Sequence, residues 1–578
     1  MATPTKSEFQ VNGTNASALF TLKLHRGEGM ALIAMNWKNG KPPKDFVGFA
    51  IEYKEPDGTK FFALNNRLGF LNADGSVDPN KLSTLRSPIQ KFRWVHFPRH
   101  ADMPGKFTYR ASPVFMDPFD KLSYGDPQEV QVELMRETYA GKLNVTFTRG
   151  FVSSQAFVDK YQKDGHSISE LMPVSANDGL TFVPTHPLAK DAYAWMGFEA
   201  RSAILEVLDE AVNDKKAKVK IIAYDLNEPG IVTRLEKLGN RVQVIIDDDG
   251  AHGKDGSAEN QSEERLVISA GRENVKRQHM GKLQHNKTIV VDGPITKAVV
   301  CGSTNFSWRG FFIQSNNALI LRGGKPVKIF STAFDNYWNN SNKPASFGKT
   351  SSAEWNSLGL DSINAKVAFS PHIDTNALLQ TIGDDINTNT SSSLLYSLAF
   401  LYETKGPILD AINKISKNNK IFVYGISDKK VGGIDLHVPD MNIAPVFPVV
   451  LKDGSLPEPF KSEPVGGSGT RLHHKFAVID FDQPTARVYL GSYNFSSFAD
   501  LKNGENLLLI KDRRIVTAYM IEALRIFDHY HFRLLQADAA TAQKKLFLHK
   551  PPTQAGEKTW FDEDYTLARK IRDREIFS

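Results

Sequence analysis

The stretch that decides the architecture is His285-Asn-Lys-Thr-Ile-Val-Val-Asp292, because it returns as His473-His-Lys-Phe-Ala-Val-Ile-Asp480. Each copy is followed by a glycine-led segment, Gly302-Ser-Thr-Asn-Phe306 after the first and Gly491-Ser-Tyr-Asn-Phe495 after the second. The largely apolar residues between Lys and Asp read as a buried strand in both copies. Side chains two apart on a strand share a face, so His285 and Lys287 point one way, as do His473 and Lys475. Ser303 and Asn305, and likewise Ser492 and Asn494, follow the next strand and are placed to donate to the same spot. Two such half-sites brought together offer two imidazoles, two ammoniums and two amides around one anion. A tetrahedral phosphate with two non-bridging oxygens needs that set. A single His-x-Lys arises by chance; two complete copies, each with its second element at nearly the same distance, do not.

The surroundings of the two copies repeat as well. Apolar residues at helical spacing from Phe198 to Val212 precede a β-branched strand, Lys218-Val-Lys-Ile-Ile-Ala-Tyr224. A helix around Ile231 to Leu238 and the strand Val242-Gln-Val-Ile-Ile246 follow. In the second copy a helix at Ile408 to Ile415 leads to the strand Lys420-Ile-Phe-Val-Tyr424. Strand–helix–strand order predicts a mostly parallel sheet in each half. Duplication on this scale is too long for a solenoid, which leaves two homologous α/β lobes. The Ser-, Asn- and Gly-rich segment from Asn339 to about Asn364 is the natural linker between them. From about residue 8 to 135, alternating runs such as Ala18-Leu-Phe-Thr-Leu-Lys-Leu24 and Glu129-Val-Gln-Val-Glu-Leu134 are separated by turns such as Pro56-Asp-Gly58. About seven such runs predict an immunoglobulin- or fibronectin-like β-sandwich, read as a binding or packing module. The expected fold class is α/β, with an all-β domain over 1–138, two lobes in pseudo-two-fold symmetry over 139–342 and 343–540, and a C-terminal extension over 541–578.

A length of 578 residues accommodates several folding units, and 41% hydrophobic with 24% charged residues excludes a disordered or fibrous chain. Lys+Arg of 71 against Asp+Glu of 65 leaves a net charge of +6. That suits an anionic substrate but is too small to establish nucleic-acid binding without a local basic patch. One cysteine, Cys301, excludes an internal disulfide and a thiolate-based zinc site. Neither a signal peptide nor a long apolar span is visible, so a cytoplasmic location is expected.

With both motifs complete, the region from about 140 to 540 resembles the phospholipase D superfamily of paired His-Lys-Asp phosphodiesterases. The resemblance implies one active site at the lobe interface and a two-step displacement through a covalent phosphohistidine, with neither metal nor cofactor. It assigns His285 as nucleophile and His473 as acid/base, and the pseudo-symmetry leaves the reverse open. Lys287, Lys475, Asn305 and Asn494, with Ser303 and Ser492, would bind the phosphoryl oxygens and stabilise their charge. In the family a carboxylate near the position of Glu505 orients a catalytic histidine through its Nδ1–H. The first half carries Asn316 at the aligned position, and which histidine Glu505 serves stays open. Asp292 and Asp480 stand five residues beyond each lysine, an odd offset that turns them away from the phosphate into structural roles. One chain supplies both half-sites, so a monomer suffices.

Other candidates read more blandly. Asp247-Asp-Asp-Gly250 lacks the EF-hand spacing and reads as a solvated turn. His529-x-His531 has no partner ligands and reads as core or surface. His474 reads as packed on the opposite strand face, and Cys301 as a small core residue. The basic run Arg272, Lys276, Arg277 and Lys282 reads equally as a solvated loop or as a guide for an anionic substrate. Leu436 to Leu451 and Gly310-Phe-Phe-Ile313 read as buried segments or as hydrophobic lips beside the site. Such catalytic residues serve phospholipids, nucleic acids and other diesters alike. Cleavage of phospholipid headgroups at a membrane surface leads, on the apolar segments and the weak net charge. A nuclease is the alternative, on the basic run, and a binding protein with a degenerate site is third.

Overall fold

The computed structural model describes residues 9–98, 100–134, 137–150, 157, 160–161, 164–401, 405–428, 434–437, 444–446 and 472–578. The chain forms two compact units, residues 1–136 with 517–578, and residues 137–516.

The first unit is the expected sandwich. A four-stranded sheet orders Gln10–Asn12, Phe20–Arg26, Ala31–Trp37 and Arg93–His96, and a five-stranded sheet is built on Phe46–Lys54 and Lys106–Met116. Alternation along Phe20–Arg26 sends Phe20, Leu22 and Leu24 inward onto Phe46, Phe49, Ile33 and Tyr109. The residues expected to form a separate C-terminal extension belong to this core instead. Trp560 and Phe561 lie 5.6 and 5.9 Å from Phe46, and the His25 ring meets the Phe577 carbonyl at 2.6 Å. From Thr517 onward the helix Arg513–Thr541, expected to close the second lobe, also belongs to the sandwich unit. Arg93 joins it through Asp528 (2.6 Å) and Asp573 (2.7 Å).

The second unit holds the two lobes, each a sheet with the same strand order around the motif. In the first, Leu143–Phe147, Asn317–Arg322, Lys297–Gly302, Lys287–Asp292, Lys218–Ala223, Val242–Ile246 and Val275–Arg277 lie side by side. In the second, Asn364–Ser370, Glu505–Lys511, Arg487–Gly491, Lys475–Ile479, Ser393–Leu398 and Phe422–Asp428 repeat that order. The mostly parallel sheet expected from sequence is not what forms. Lys218–Ala223, Val242–Ile246 and Val275–Arg277 are parallel, and every other pairing in the first lobe is antiparallel. The parallel strands are joined by the crossover helices Pro229–Leu238 and Ala258–Ala270. The motif strand turns back at once, with Gly293 N–H donating to the Thr296 carbonyl (2.8 Å), and a tight return forces an antiparallel neighbour. The segment between Asn339 and Asn364 is an ordered connector, with Phe347 stacked 4.1 Å from Tyr337.

The motif strands are buried as expected. The glycines that open Gly-Ser-x-Asn have a steric cause: Gly302 and Gly491 adopt φ of 133° and 142°, and a Cβ would run into the Asn317 and Asn506 carbonyls. The motif aspartates part company. Asp292 is exposed and pairs with Lys297 at 2.5 Å. Asp480 is fully buried and accepts the N–H groups of Ser391 (2.9 Å), Ser392 (2.8 Å) and Ser393 (3.2 Å). Replacing Asp480 by Ala is therefore expected to destabilise the catalytic unit by about 3 kcal/mol, since buried donors lose a charged acceptor. Asp292→Ala should stay within about 0.5 kcal/mol, the worth of an exposed pair. Urea midpoints of the two variants check the difference, and equal midpoints would refute it.

Candidate active site

The two halves meet at their histidines. The backbone just before each one pairs with the segment that carries the other lobe's orienting residue. Gly504 N–H donates to the Leu283 carbonyl at 2.8 Å, and His473 N–H to the Ser315 carbonyl at 3.1 Å. His285 Nδ1 thereby lies 2.7 Å from Glu505 Oε2, and His473 Nδ1 lies 2.8 Å from Asn316 Oδ1 and 3.1 Å from the Ser303 carbonyl. Each lobe orients the other lobe's histidine. The Asn316 amide is fixed by its own network, since Nδ2 donates to the Gly310 carbonyl (2.8 Å) and Oδ1 also accepts from Ser303 Oγ (2.9 Å). Both Nδ1 atoms face acceptors only, so both carry the proton, and Nε2 of each ring is left for a substrate. The ring centroids are 6.2 Å apart and both rings are buried.

The lysines lie on the same faces as their histidines, as two-residue spacing predicts. Lys287 Nζ donates to the His285 carbonyl (2.5 Å), and Lys475 Nζ to the His473 carbonyl (2.9 Å). Burial lowers Lys287 to about 8, against the opposing charges of Glu505, Asp225 and Asp247. Burial also lowers His285, with Lys287 adding to the fall and the Glu505 charge opposing it. His473 is pushed well below the usual histidine range by burial and by Lys475, Lys287 and His285. The site thus holds two neutral imidazoles beside ammonium groups, an arrangement that gains from an incoming anion.

Asn305 and Asn494 each bury an amide oxygen that has no partner among the described residues. The serines of the motif face inward on the protein. Ser303 Oγ donates to Asn316 and accepts from Asn317 N–H (3.0 Å), and Ser492 Oγ accepts from Asn506 N–H (3.0 Å). Asn506 Nδ2 crosses to Asn286 Oδ1 at 2.9 Å, a further inter-lobe tie. His474 is packed, as read from sequence, against Phe147 (6.0 Å) and Phe476 (5.1 Å), and Cys301 is a buried core residue. His529 and His531 lie on the helix Arg513–Thr541, with His531 lowered by burial.

One reading is corrected, and two that were left open are decided. Asp247 is not part of a solvated turn. It is fully buried, accepts Gln284 N–H at 2.5 Å beside the motif, and meets His252 Nδ1 at 2.7 Å. The basic run is not a free guide. Arg272 pairs with Glu263, Arg277 donates to the Asp247 (3.0 Å) and His252 (2.6 Å) carbonyls, and Lys276 to the Trp338 carbonyl (2.6 Å); Lys282 alone of the four is exposed without such a tie in the described structure. Gly310–Ile313 is a buried turn, with Phe312 stacked 4.8 Å from Tyr193, and forms no lip. The apolar stretch Leu436 to Leu451 lies, for residues 438–443 and 447–451, outside the described residues. Tyr224 escaped sequence analysis: its ring centroid is 4.7 Å from His285, and Lys287 Nζ lies 4.7 Å over its face. It stands outside any motif, and only the pairing of its strand with Lys287–Asp292 brings it there.

Two sheets in like order, joined by reciprocal histidine contacts, define a pseudo-symmetric two-lobe protein with a single His₂Lys₂ centre. A family model described as cardiolipin synthase, PLD-like domain, matches residues 204–338 and 384–526. The mitochondrial cardiolipin hydrolase of Xenopus tropicalis is 42% identical over 59 residues, 10% of this chain, and the match spans 26% of that relative's length. Among solved structures, the phosphatidylserine synthase of Haemophilus influenzae Rd KW20 is 15% identical over 60% of this chain and 92% of its own, with a TM-score of 0.39. The phospholipase D family member Nuc from Salmonella typhimurium is 23% identical over 24% of this chain and 89% of its own, with a TM-score of 0.20. The chain belongs to the phospholipase D superfamily, a family of enzymes.

The buried Lys287 sets a pH dependence. Below its value of about 8 the ammonium is present, and as pH rises through that value the charge is lost. Affinity for tungstate, a tetrahedral phosphate mimic, is expected to fall as pH rises through about 8. Calorimetric titration across that range is the check, and an affinity still level at pH 10 would show that Lys287 keeps its proton.

Proposed function

We propose that this chain is a metal-independent phosphodiesterase that cleaves or exchanges the headgroups of phospholipids through a covalent phosphohistidine. The observation that carries the reading is the pair of imidazoles, each with Nδ1–H held by an acceptor of the opposite lobe and Nε2 left for chemistry. His285, backed by the Glu505 carboxylate, is the better nucleophile; its Nε2 attacks phosphorus as the bond to the leaving oxygen breaks. His473 gives its Nε2 proton to that oxygen. It acquires the proton when the anionic diester enters, since the substrate charge offsets the lysines that hold it neutral. In the second step His473 takes a proton from water or an acceptor alcohol, whose oxygen displaces His285 from phosphorus. Lys287, Lys475, Asn305 and Asn494 hold the non-bridging oxygens, and Ser303 and Ser492 support Asn316, Asn317 and Asn506 behind them.

A lipid substrate is favoured over nucleic acid on two grounds. Two of the four residues of the basic run that argued for a nuclease, Lys276 and Arg277, are committed to backbone carbonyls of the protein itself. The family description and the name of the cardiolipin hydrolase relative concern phospholipid synthesis and hydrolysis. Among the described residues no helix is long and apolar enough to cross a membrane, so the lipid would be met at a surface. The test is headgroup release from phosphatidylcholine and cardiolipin vesicles in EDTA, with ethanol present to report transfer, beside cleavage of single- and double-stranded DNA. His285→Ala is expected to abolish turnover and His473→Ala to lower it by about 10²–10⁴-fold. Full activity in either variant would sink the phosphohistidine scheme, and DNA cleavage with inert vesicles would make the nuclease reading the right one.

A further inference from the structure

Behind the His285 half-site lies a cluster that no motif announces. The His252 ring is held at both nitrogens, with Nδ1 2.7 Å from Asp247 Oδ2 and Nε2 3.2 Å from Asp225 Oδ1. Only an imidazolium carries a proton on each nitrogen, so this geometry needs the charged ring. Burial works against that charge, but the hydrogen bonds to Asp225 and Asp247 and the charges of Asp225 and Glu259 outweigh it and hold His252 at about 10. Asp225, His252 and Glu259 bring ligand-type atoms within 4.8 Å of one another, yet the cation among these carboxylates is His252 itself.

Both ends of the clamp reach the nucleophile. Asp247 turns its other oxygen to the N–H of Gln284, the residue immediately before His285, at 2.5 Å. Tyr224, next to Asp225, stands edge-on between the rings, 4.5 Å from His252 and 4.7 Å from His285. Arg277 fixes the loop from outside by donating to the Asp247 and His252 carbonyls. The second lobe is built differently: the residue in the register of Tyr224, one beyond the partner of the motif lysine, is Ala399. Among the described residues the clamp stands behind one histidine of the two.

We propose that His252 is a positioning residue for His285, bridging Asp225 and Asp247 so that Asp247 holds the Gln284 N–H and Tyr224 holds the face of the imidazole. The proposal rests on the phosphodiesterase reading for its kinetic consequence alone. A nucleophile displaced by a fraction of an ångström loses rate without losing substrate affinity.

The test uses His252→Asn in the full chain with bis(p-nitrophenyl) phosphate as the probe. The expected result is a fall in kcat of about 10- to 100-fold with KM within about twofold. His252→Lys, which keeps a cation able to donate to both carboxylates, should recover most of the rate. Asp225→Asn, isosteric and releasing one side of the clamp, should give a smaller loss of the same kind if His252→Asn fails to fold. Hydrogen–deuterium exchange supplies a readout free of turnover: the peptide covering 283–287 should exchange faster in the variants while Lys297–Gly302 stays protected. Unchanged exchange at 283–287, or a loss confined to KM, would overturn the proposal. A wild-type protein inert toward the probe would count against the phosphodiesterase reading, and the exchange result would still decide the positioning.

Discussion

The contact on which the site depends is His285 Nδ1 to Glu505 Oε2, made across the two lobes in a buried setting. An ionisable ring and a carboxylate removed from water are tolerated only when each satisfies the other. Its counterpart, His473 against Asn316, is made the same way in the opposite direction. Docking of the lobes and orientation of the two imidazoles are thus one event. A half-site alone would lack the acceptor that sets its imidazole tautomer, because that acceptor always comes from the other half.

The pseudo-symmetry is broken where chemistry needs it broken. Identical half-sites would place two equal imidazoles in equal fields. Glu505 gives one ring a charged partner and Asn316 gives the other a neutral one. Around His285 the first lobe adds Tyr224 and the charged clamp of Asp225, Asp247 and His252, whereas Ala399 occupies the Tyr224 register in the second. Both histidines are nonetheless held neutral by burial and by the neighbouring ammoniums, so the incoming anion completes the electrostatics of the site.

Much of this was legible in the chain because its signals were local. Two-residue spacing put His and Lys on one face, and apolar runs marked the motif strands. A five-residue offset separated the aspartates from the phosphate, and the repeat announced two lobes. The misreadings share one cause. Sheet direction depends on how strands return, and the tight turn after Asp292 made antiparallel what helix–strand alternation had suggested would be parallel. Asp247 looked like a solvated turn because three consecutive acids are usually hydrated, and its burial depends on Gln284 and His252 arriving from elsewhere. Arg272, Lys276 and Arg277 looked available because their partners, Glu263, the Trp338 carbonyl and the Asp247 and His252 carbonyls, are brought to them by the fold.

The sequence by itself determined the duplicated motif, the residue types at the centre and the sandwich ahead of it, since spacing and alternation are properties of the chain. The tertiary structure alone decided which acceptor serves which histidine, that the C-terminal residues complete the sandwich core, and that His252 stands behind His285. Glu505 lies far along the chain from His285, and His252 meets Asp225 and Asp247 only after the strands bearing them have paired. Contacts of that kind carry no periodicity, so only the folded protein reveals them.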